Sequence, residues 1–384
     1  MVDAAGTRRQ PRILHLHSSF DLGGKEARAV RLMNLWEDRA EHAIVSGVPA
    51  MMAARAAIDA GVPVSFPAAP PLAGRPSPAR FLALARFMRD YDLVLTYNWG
   101  AMDAVMAHRL ATPFMGLPPL IHHEDGFNSD ESGGLKPARN RYRRIALAPA
   151  RALVVPSRRL EAIARDAWHQ ARHRVHLIPN GIDTALYAHT PDADVFPGLV
   201  REPGKLLVGT LAGLRPVKNV RRLVRVVAQH RAQLQLVVVG DGPEREAIVA
   251  EAEALGFDGL HMAGFMADPW RFIGAFDIFA LSSDSEQFPI SLVEAMASGL
   301  PVVSTDVGDV ADMVAEDNRA FVVPCAREDA FGAALGTLAK DAVLRARLGA
   351  ANRSKAQAMF AETGMRAAYA RLYGEALEQP DVLL

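Results

Sequence analysis

Short apolar runs alternate with longer amphipathic stretches along most of the chain. In the first half, runs rich in Ile, Leu and Val at 12–17, 43–47, 92–96, 119–123, 152–155 and 175–178 are bounded by turn residues and predict strands. Helical periodicity falls between them, at about 24–37, 51–60, 78–89, 100–110, 137–148 and 157–168. The second half repeats the style, with strands at 206–211, 234–239, 259–262, 277–281, 301–304 and 320–323, but without a sequence repeat. Near-continuous apolar strands separated by helices indicate parallel sheets with crossover helices on both faces.

Each half therefore predicts an α/β, Rossmann-like doubly wound domain, and a length of 384 residues agrees with two of them. The first is expected over 1–186 and the second over 205–358. Between them, 187–204 reads as a linker, because Pro191, Pro197, Pro203 and Gly204 interrupt the periodicity. The proline-rich stretch 66–77 reads as a surface loop. Beyond Arg327 the pattern is helical, and 359–384 is long enough to return to the first domain. Ligands of such sheets bind beyond the carboxyl ends of the strands, so two such domains are expected to face a central cleft.

Composition narrows the class. Half the residues are apolar and 22% are charged, a globular balance. The 43 basic and 43 acidic residues cancel, which removes any global argument for nucleic acid. Cys325 is the single cysteine, so an internal disulfide is excluded and a reducing compartment fits. No apolar run approaches the roughly 18 residues of a spanning helix. Residues 13–17 are too short and too polar for a secretory signal. The expectation is a soluble, cytoplasmic protein. One local asymmetry stands out: 136–174 holds eleven Lys or Arg against two acids, Glu161 and Asp166. It is either an Arg-rich solvent face or a patch for peripheral contact with an anionic membrane or a lipid-diphosphate acceptor.

The most informative segment is 277–305, which reads as strand, loop, helix, strand. Glu286 and Glu294 lie eight residues apart across the helix start. A helix N-terminus offers free backbone N–H groups to an anion, and acids beside it bind sugar hydroxyls. The combination suggests a site for a sugar joined to a phosphate.

Other motifs also fall at strand ends. Gly23 and Gly24, in the loop Ser18–Glu26, either let the backbone approach a phosphate or form a tight turn. The third glycine of a dinucleotide fingerprint is missing. His122, His123, Glu124 and Asp125 close strand 119–123. Strand alternation sends the two imidazoles to opposite faces, one to the cleft and one into packing. Asn98 and Trp99 after strand 92–96 suit a sugar's hydroxyls and face, or are a turn residue and a core aromatic. Arg215 and Lys218, with Asn219 as N-cap of a helix 220–230, place two cations beside a helix start, where they neutralise a diphosphate. Gly240-Asp241-Gly242 and Gly264-Phe265 either line a nucleotide base or are simple turns. Asp192 and Asp194 read as solvated loop charge. No His or Cys spacing matches a zinc site.

With these motifs assembled, the chain resembles the retaining GT-B glycosyltransferases of family 4 (group 1) over nearly its whole length. The Glu286-to-Glu294 spacing followed by Ala295-Met296-Ala297-Ser298-Gly299-Leu300-Pro301 carries the resemblance, and Gly23-Gly24, His122, Pro179–Asp183, Arg215/Lys218 and Gly240–Gly242 support it. The resemblance implies the GT-B fold and metal-independent, retaining, hexosyltransferase-type chemistry without a cofactor. The donor is a UDP or GDP sugar and the acceptor is a saccharide or lipid-linked, in cell-envelope polysaccharide or glycolipid synthesis at the inner face of the membrane. It assigns catalysis to His122, Glu286, Arg215 and Lys218. Donor binding falls to Gly23, Gly24, Gly240, Phe265, Phe288, Pro289, Ile290, Ser291 and Glu294. On residue type and strand-end position, rather than on the resemblance, the acceptor side is expected at Asn98, Trp99, His123 and Asp125. Two positions depart from the family pattern: Gly213 replaces the usual arginine, and Gln287 replaces a glycine. Two other readings keep the fold, a nucleotide-sugar epimerase using His122, Glu124 and Asp125 as acid and base, and a non-catalytic nucleotide-sugar-binding protein.

Overall fold

Parallel strands buried on both faces build two separate sheets in the computed structural model, which describes residues 9–21, 23–127, 131, 134–192 and 194–384. Leu22 of the first glycine loop, Ala193 between the two linker aspartates and residues 1–8 of the expected first domain lie outside the described residues. The chain divides into one unit of Met1–Pro179 with Met365–Leu384 and another of Asn180–Gly364.

The first unit runs β1 (Arg12–His17), α1 (Gly24–Trp36), β2 (Glu41–Ser46), β3 (Val64–Ser65), α2 (Pro78–Met88), β4 (Leu93–Tyr97), α3 (Met102–Met115), β5 (Leu120–His123), α4 (Pro137–Leu147), β6 (Ala152–Val155), α5 (Arg158–Asp166) and β7 (Val175–Leu177). Its sheet order is β3-β2-β1-β4-β5-β6-β7, with every pair parallel. The second unit runs β8 (Leu206–Leu211), α6 (Val220–Ala228), β9 (Leu234–Val239), α7 (Arg245–Ala254), β10 (Leu260–Gly264), β11 (Ile278–Leu281), α8 (Ile290–Ala297), β12 (Val302–Thr305), α9 (Val310–Met313), β13 (Val322–Val323), α10 (Glu328–Lys340) and α11 (Ala342–Met359). Its order is β10-β9-β8-β11-β12-β13, again parallel. α12 (Glu362–Ala376) begins in the second unit and continues in the first.

Local chemistry sets the helix starts. Ser77, Ser157, Asn219 and Asp341 each accept a backbone N–H of the first turn, and Pro78 follows Ser77 where its missing N–H is harmless. α3 stops beyond Pro113, at Gly116, whose φ of 58° is a left-handed cap. Each sheet is sandwiched between two apolar layers. In the first unit, Ile13, Leu93 and Ile121 lie under Trp36, Tyr369 and Tyr373, while Leu14, Val94 and Leu120 lie under Leu84 and Val105.

Two boundaries differ from expectation. The stretch 51–60 is a short 3-10 turn, Ala53–Ala57, not an α-helix. The expected linker 187–204 is part of the second unit, because Tyr187 and Phe196 sit in its core and Phe196 stacks on Phe276. The change of unit falls instead at 179/180 and again at 364/365. The returning segment expected over 359–384 is one helix, α12, which carries Met365, Tyr369 and Tyr373 into the first unit's core.

Candidate functional site

Strand order reverses between β8 and β11 in the second unit, and the loops after those strands carry the charged residues singled out in the sequence. Lys218 Nζ donates to Glu286 Oε1 at 2.6 Å, and Ser283 Oγ donates to the same oxygen at 2.7 Å. Asn219 Nδ2 and Arg222 Nη2 hold Asp284 at 3.0 and 2.8 Å, and the Asp284 N–H donates to Val217 O at 2.8 Å. The two loops are thus laced side chain to side chain. Gly308, at φ 57°, lets a third loop pack against the carbonyls of Glu286 and Gln287, where an added Cβ would stand 2.5 Å from Glu286 O. Gly308 was not identifiable from sequence alone, because it acts through a partner on another loop, and Ser283, three residues before Glu286, carries no motif of its own.

α8 begins just beyond, with Pro289 as N-cap and Ile290 and Ser291 in its first turn. Glu294 lies on this helix, buried, and accepts a hydrogen bond from the Tyr187 hydroxyl at 3.0 Å. Burial raises its pKa to about 7, against a smaller opposing effect of the tyrosine hydrogen bond. Tyr187 was missed because it falls in a stretch without periodicity. The Phe288 ring packs edge-on to Phe360 in the core, leaving its backbone rather than its ring for a ligand.

Phe265 follows Gly264 and is 75% exposed, an aromatic face without a core role. Gly240 is explained by the protein itself, since at φ 134° a Cβ there would stand 1.9 Å from Ala212 O. Loop-on-loop packing therefore requires a glycine there. Arg215 is exposed, and its guanidinium makes no ion pair with the described residues. Gly213 is exposed with nothing within 4 Å of an added Cβ, so space for a side chain is open. The Oε1 of Gln287 is buried without a hydrogen-bond partner among the described residues.

In the first unit the strand-end residues are largely bound to one another. His122 is fully buried, with Nδ1 at 2.8 Å from Thr96 Oγ1 and Nε2 at 3.6 Å from Glu124 Oε2. His123 is buried on the opposite face, 2.7 Å from the Tyr373 hydroxyl. Alternation does separate the two rings, but both faces of a parallel strand are covered, so neither imidazole is presented openly. Asn98, at φ 56°, accepts the Asp125 N–H at 2.8 Å, and Asp125 pairs with Arg28. Trp99 lies under Arg139 and Arg143, 4.8 and 4.9 Å from its ring centre. These acceptor-side candidates serve internal networks, and the acid–base cluster of an epimerase is enclosed in the same way. Gly23 is the N-cap of α1 and Gly24 its first residue, and an added Cβ at Gly23 would meet the Glu26 carboxylate at 2.7 Å.

The basic stretch 136–174 is also less free than its composition suggests. Arg143 is buried between Glu124 and Glu131, Arg139 pairs with Glu131, and Arg165 pairs with Glu161. Lys136, Arg158 and Arg159 are engaged as well, whereas Arg141, Arg144 and Arg172 stay exposed. No helix among the described residues is long and apolar enough to cross a membrane.

Comparison with known proteins fits this geometry. The Glycosyltransferase Family 4 model matches residues 22–186, and the Glycosyl transferases group 1 model matches 194–355. The chain belongs to the group 1, family 4 glycosyltransferases. It is 31% identical to the putative glycosyltransferase EpsF of Bacillus subtilis over 57% of this chain and 61% of that protein. It is 30% identical to a GDP-mannose-dependent alpha-mannosyltransferase of Mycobacterium tuberculosis over 39% of each. The chain therefore spans less than two thirds of the length of these relatives. Its fold is GT-B: Anabaena Alr3699/HepE, solved in complex with UDP, superposes with a TM-score of 0.79 at 21% identity, covering 95% of this chain and 100% of that one.

Proposed function

We propose that the protein is a retaining glycosyltransferase that moves a sugar from a nucleoside-diphosphate sugar to a saccharide or lipid-linked acceptor. The observation that carries this reading is the Lys218–Glu286–Ser283 cluster beside the α8 N-terminus, with the buried Glu294 one turn further on. Glu294 accepts the ribose hydroxyls and Phe265 stacks on the base. Lys218, with Arg215 and the first N–H groups of α8, faces the diphosphate. Lys218 exchanges Glu286 for phosphate when the donor arrives, which frees the Glu286 carboxylate to accept hydroxyls of the transferred sugar. The sugar C1–O bond to the diphosphate then breaks and the acceptor oxygen bonds C1 on the same face. The acceptor's proton passes to the departing diphosphate. Stabilisation of that leaving charge by fixed cations and N–H groups is the main catalytic effect and calls for no metal.

A cytoplasmic protein peripheral to the inner membrane face, acting in cell-envelope polysaccharide or glycolipid synthesis, remains the setting we favour, on the exposed Arg141 and Arg144 of α4. The test is a thermal-shift screen over UDP, GDP and their sugars, since a ligand that binds only the folded state raises the unfolding temperature. At least one of them should stabilise the protein by several degrees, with the shift lost in Glu294→Ala and turnover lost in Lys218→Ala. A full panel without any shift or turnover would sink the assignment.

A further inference from the structure

Arg222 stands in the first turn of α6, four residues beyond Lys218, and its guanidinium reaches the loop after β11. Nη1 donates to Ser282 O at 2.9 Å, and Nη2 pairs with Asp284 Oδ1 at 2.8 Å. These two contacts straddle Ser283, whose hydroxyl holds Glu286 Oε1 at 2.7 Å. A planar guanidinium serves both acceptors at once, which a lysine ammonium matches poorly. The neighbouring arginines of α6 behave differently: Arg221 pairs with Glu251 and Arg225 with Glu328, away from the loop.

Ser283 is held from other sides as well. It is buried, and its carbonyl accepts the Thr305 hydroxyl at 2.5 Å from the end of β12. Ser282 Oγ donates to Lys218 O at 3.1 Å, and the Asp284 N–H donates to Val217 O at 2.8 Å. Asn219 caps α6 by accepting the Arg222 N–H and adds its own amide to Asp284. The Glu286 backbone is confined by the close approach of Gly308. With the backbone fixed in this way, the Glu286 carboxylate has two side-chain partners on one oxygen, Lys218 and Ser283. Once Lys218 departs, Ser283 decides where that carboxylate points.

We propose that Arg222 is a positioning residue for sugar transfer: it pins Ser283, and Ser283 keeps Glu286 in register while Lys218 faces the diphosphate. The inference rests on the transfer reading above, in which Lys218 gives up Glu286 when the donor arrives. Arg222 itself touches no ligand, because its guanidinium is occupied by Ser282 and Asp284. Without it the Ser283 hydroxyl shifts, and the carboxylate loses its second anchor when it should accept hydroxyls of the sugar. Small misplacements of such a group are costly in rate.

Steady-state kinetics of the full chain with UDP and GDP sugars, beside calorimetry with UDP and GDP, tests it. Arg222→Met should lower kcat about ten-fold, as expected for lost hydrogen bonds to a charged group. Affinity for the matching nucleoside diphosphate should stay within about two-fold, because Lys218 and Glu294 keep their places. Arg222→Lys, which retains the charge without the fork, should recover part of the loss. The deciding measurement is the cycle with Ser283→Ala: adding Arg222→Met to it should cost less than about two-fold further. Where Arg222→Met does not fold, Asp284→Asn weakens the same clamp and takes its place in the cycle. Additive losses, equal losses of kcat and of diphosphate affinity, or a wild-type kcat in Arg222→Met each overturn the positioning role while leaving the transfer reading intact. A wild-type chain that turns over no donor overturns both.

Discussion

The Tyr187 hydroxyl donates to Oε1 of Glu294 at 3.0 Å across 107 residues of chain. The tyrosine comes from a stretch with no strand or α-helix, and the glutamate sits within α8. The contact fixes one carboxylate oxygen and leaves the other for a ligand. It also makes the protonation state of Glu294 a property of both residues.

Glu294 should make stability fall as pH rises. Burial lifts its pKa from 4.5 to about 7, so between those values the folded protein keeps a proton the unfolded chain has lost. The residue's contribution is complete below the unfolded value and declines through the folded one. The total change is about 3 kcal/mol, at 1.36 kcal/mol per pKa unit. Unfolding temperatures of wild type and Glu294→Gln, followed from pH 5 to about 8, should converge at the acid end and separate at the alkaline end, with the variant higher. Parallel curves would show that the carboxyl titrates normally.

Tyr187→Phe should weaken nucleotide binding. An ionised carboxylate accepts from both ribose hydroxyls, and the tyrosine favours that ionised form. Its loss raises the Glu294 pKa further. Calorimetry at neutral pH should find about ten-fold weaker nucleoside diphosphate binding, from the loss of one hydrogen bond to a charged group. The midpoint of the affinity-versus-pH curve should move to higher pH. An unchanged midpoint would mean that the tyrosine only packs.

Gly213→Arg should strengthen diphosphate binding. Nothing lies within 4 Å of an added Cβ at this position, and the site lacks the family's usual arginine. A further cation beside Lys218 and Arg215 is expected to tighten a nucleoside diphosphate several-fold and leave the corresponding nucleoside unaffected. Equal gains for both ligands would argue against a phosphate contact.

Arg143→Ala should destabilise the first unit by about 3–5 kcal/mol, the usual result of stranding buried partners. Glu124 and Glu131 would lose a guanidinium 3.2 and 3.1 Å away, and Trp99 and Trp168 would lose a cation against their rings. Arg144→Ala, one residue on and exposed, should be close to neutral in the same chemical denaturation experiment.

Most strands were legible because buried parallel strands are short, apolar and bounded by turn residues, and β1, β6, β8 and β9 fall where the pattern places them. The Glu286 loop and the α8 start were legible because Glu286, Pro289 and Glu294 lie within one short segment, although the Lys218 that meets Glu286 is 68 residues away. Tyr187 was not, since its partner lies on a distant helix. Asn98, Trp99 and Asp125 looked available because the groups that occupy them come from other elements: the Asp125 N–H for Asn98, Arg139 and Arg143 for Trp99, and Arg28 for Asp125. For His122 and His123 the alternation was readable, but the covering of both strand faces follows only once α12 is known to bring Tyr373 onto that sheet.

The placement of α12 also orders events during synthesis. Trp36 meets Tyr373 edge-on at 5.6 Å, so α1 is finished by a residue translated only after the whole second unit. A ribosome releases the whole of 180–364 before that partner emerges. The second unit can mature on the nascent chain, while the first carries an uncovered apolar sheet face until α12 emerges. Chaperone occupancy and protease sensitivity on stalled chains should therefore concentrate on the N-terminal half, the reverse of the usual vectorial order.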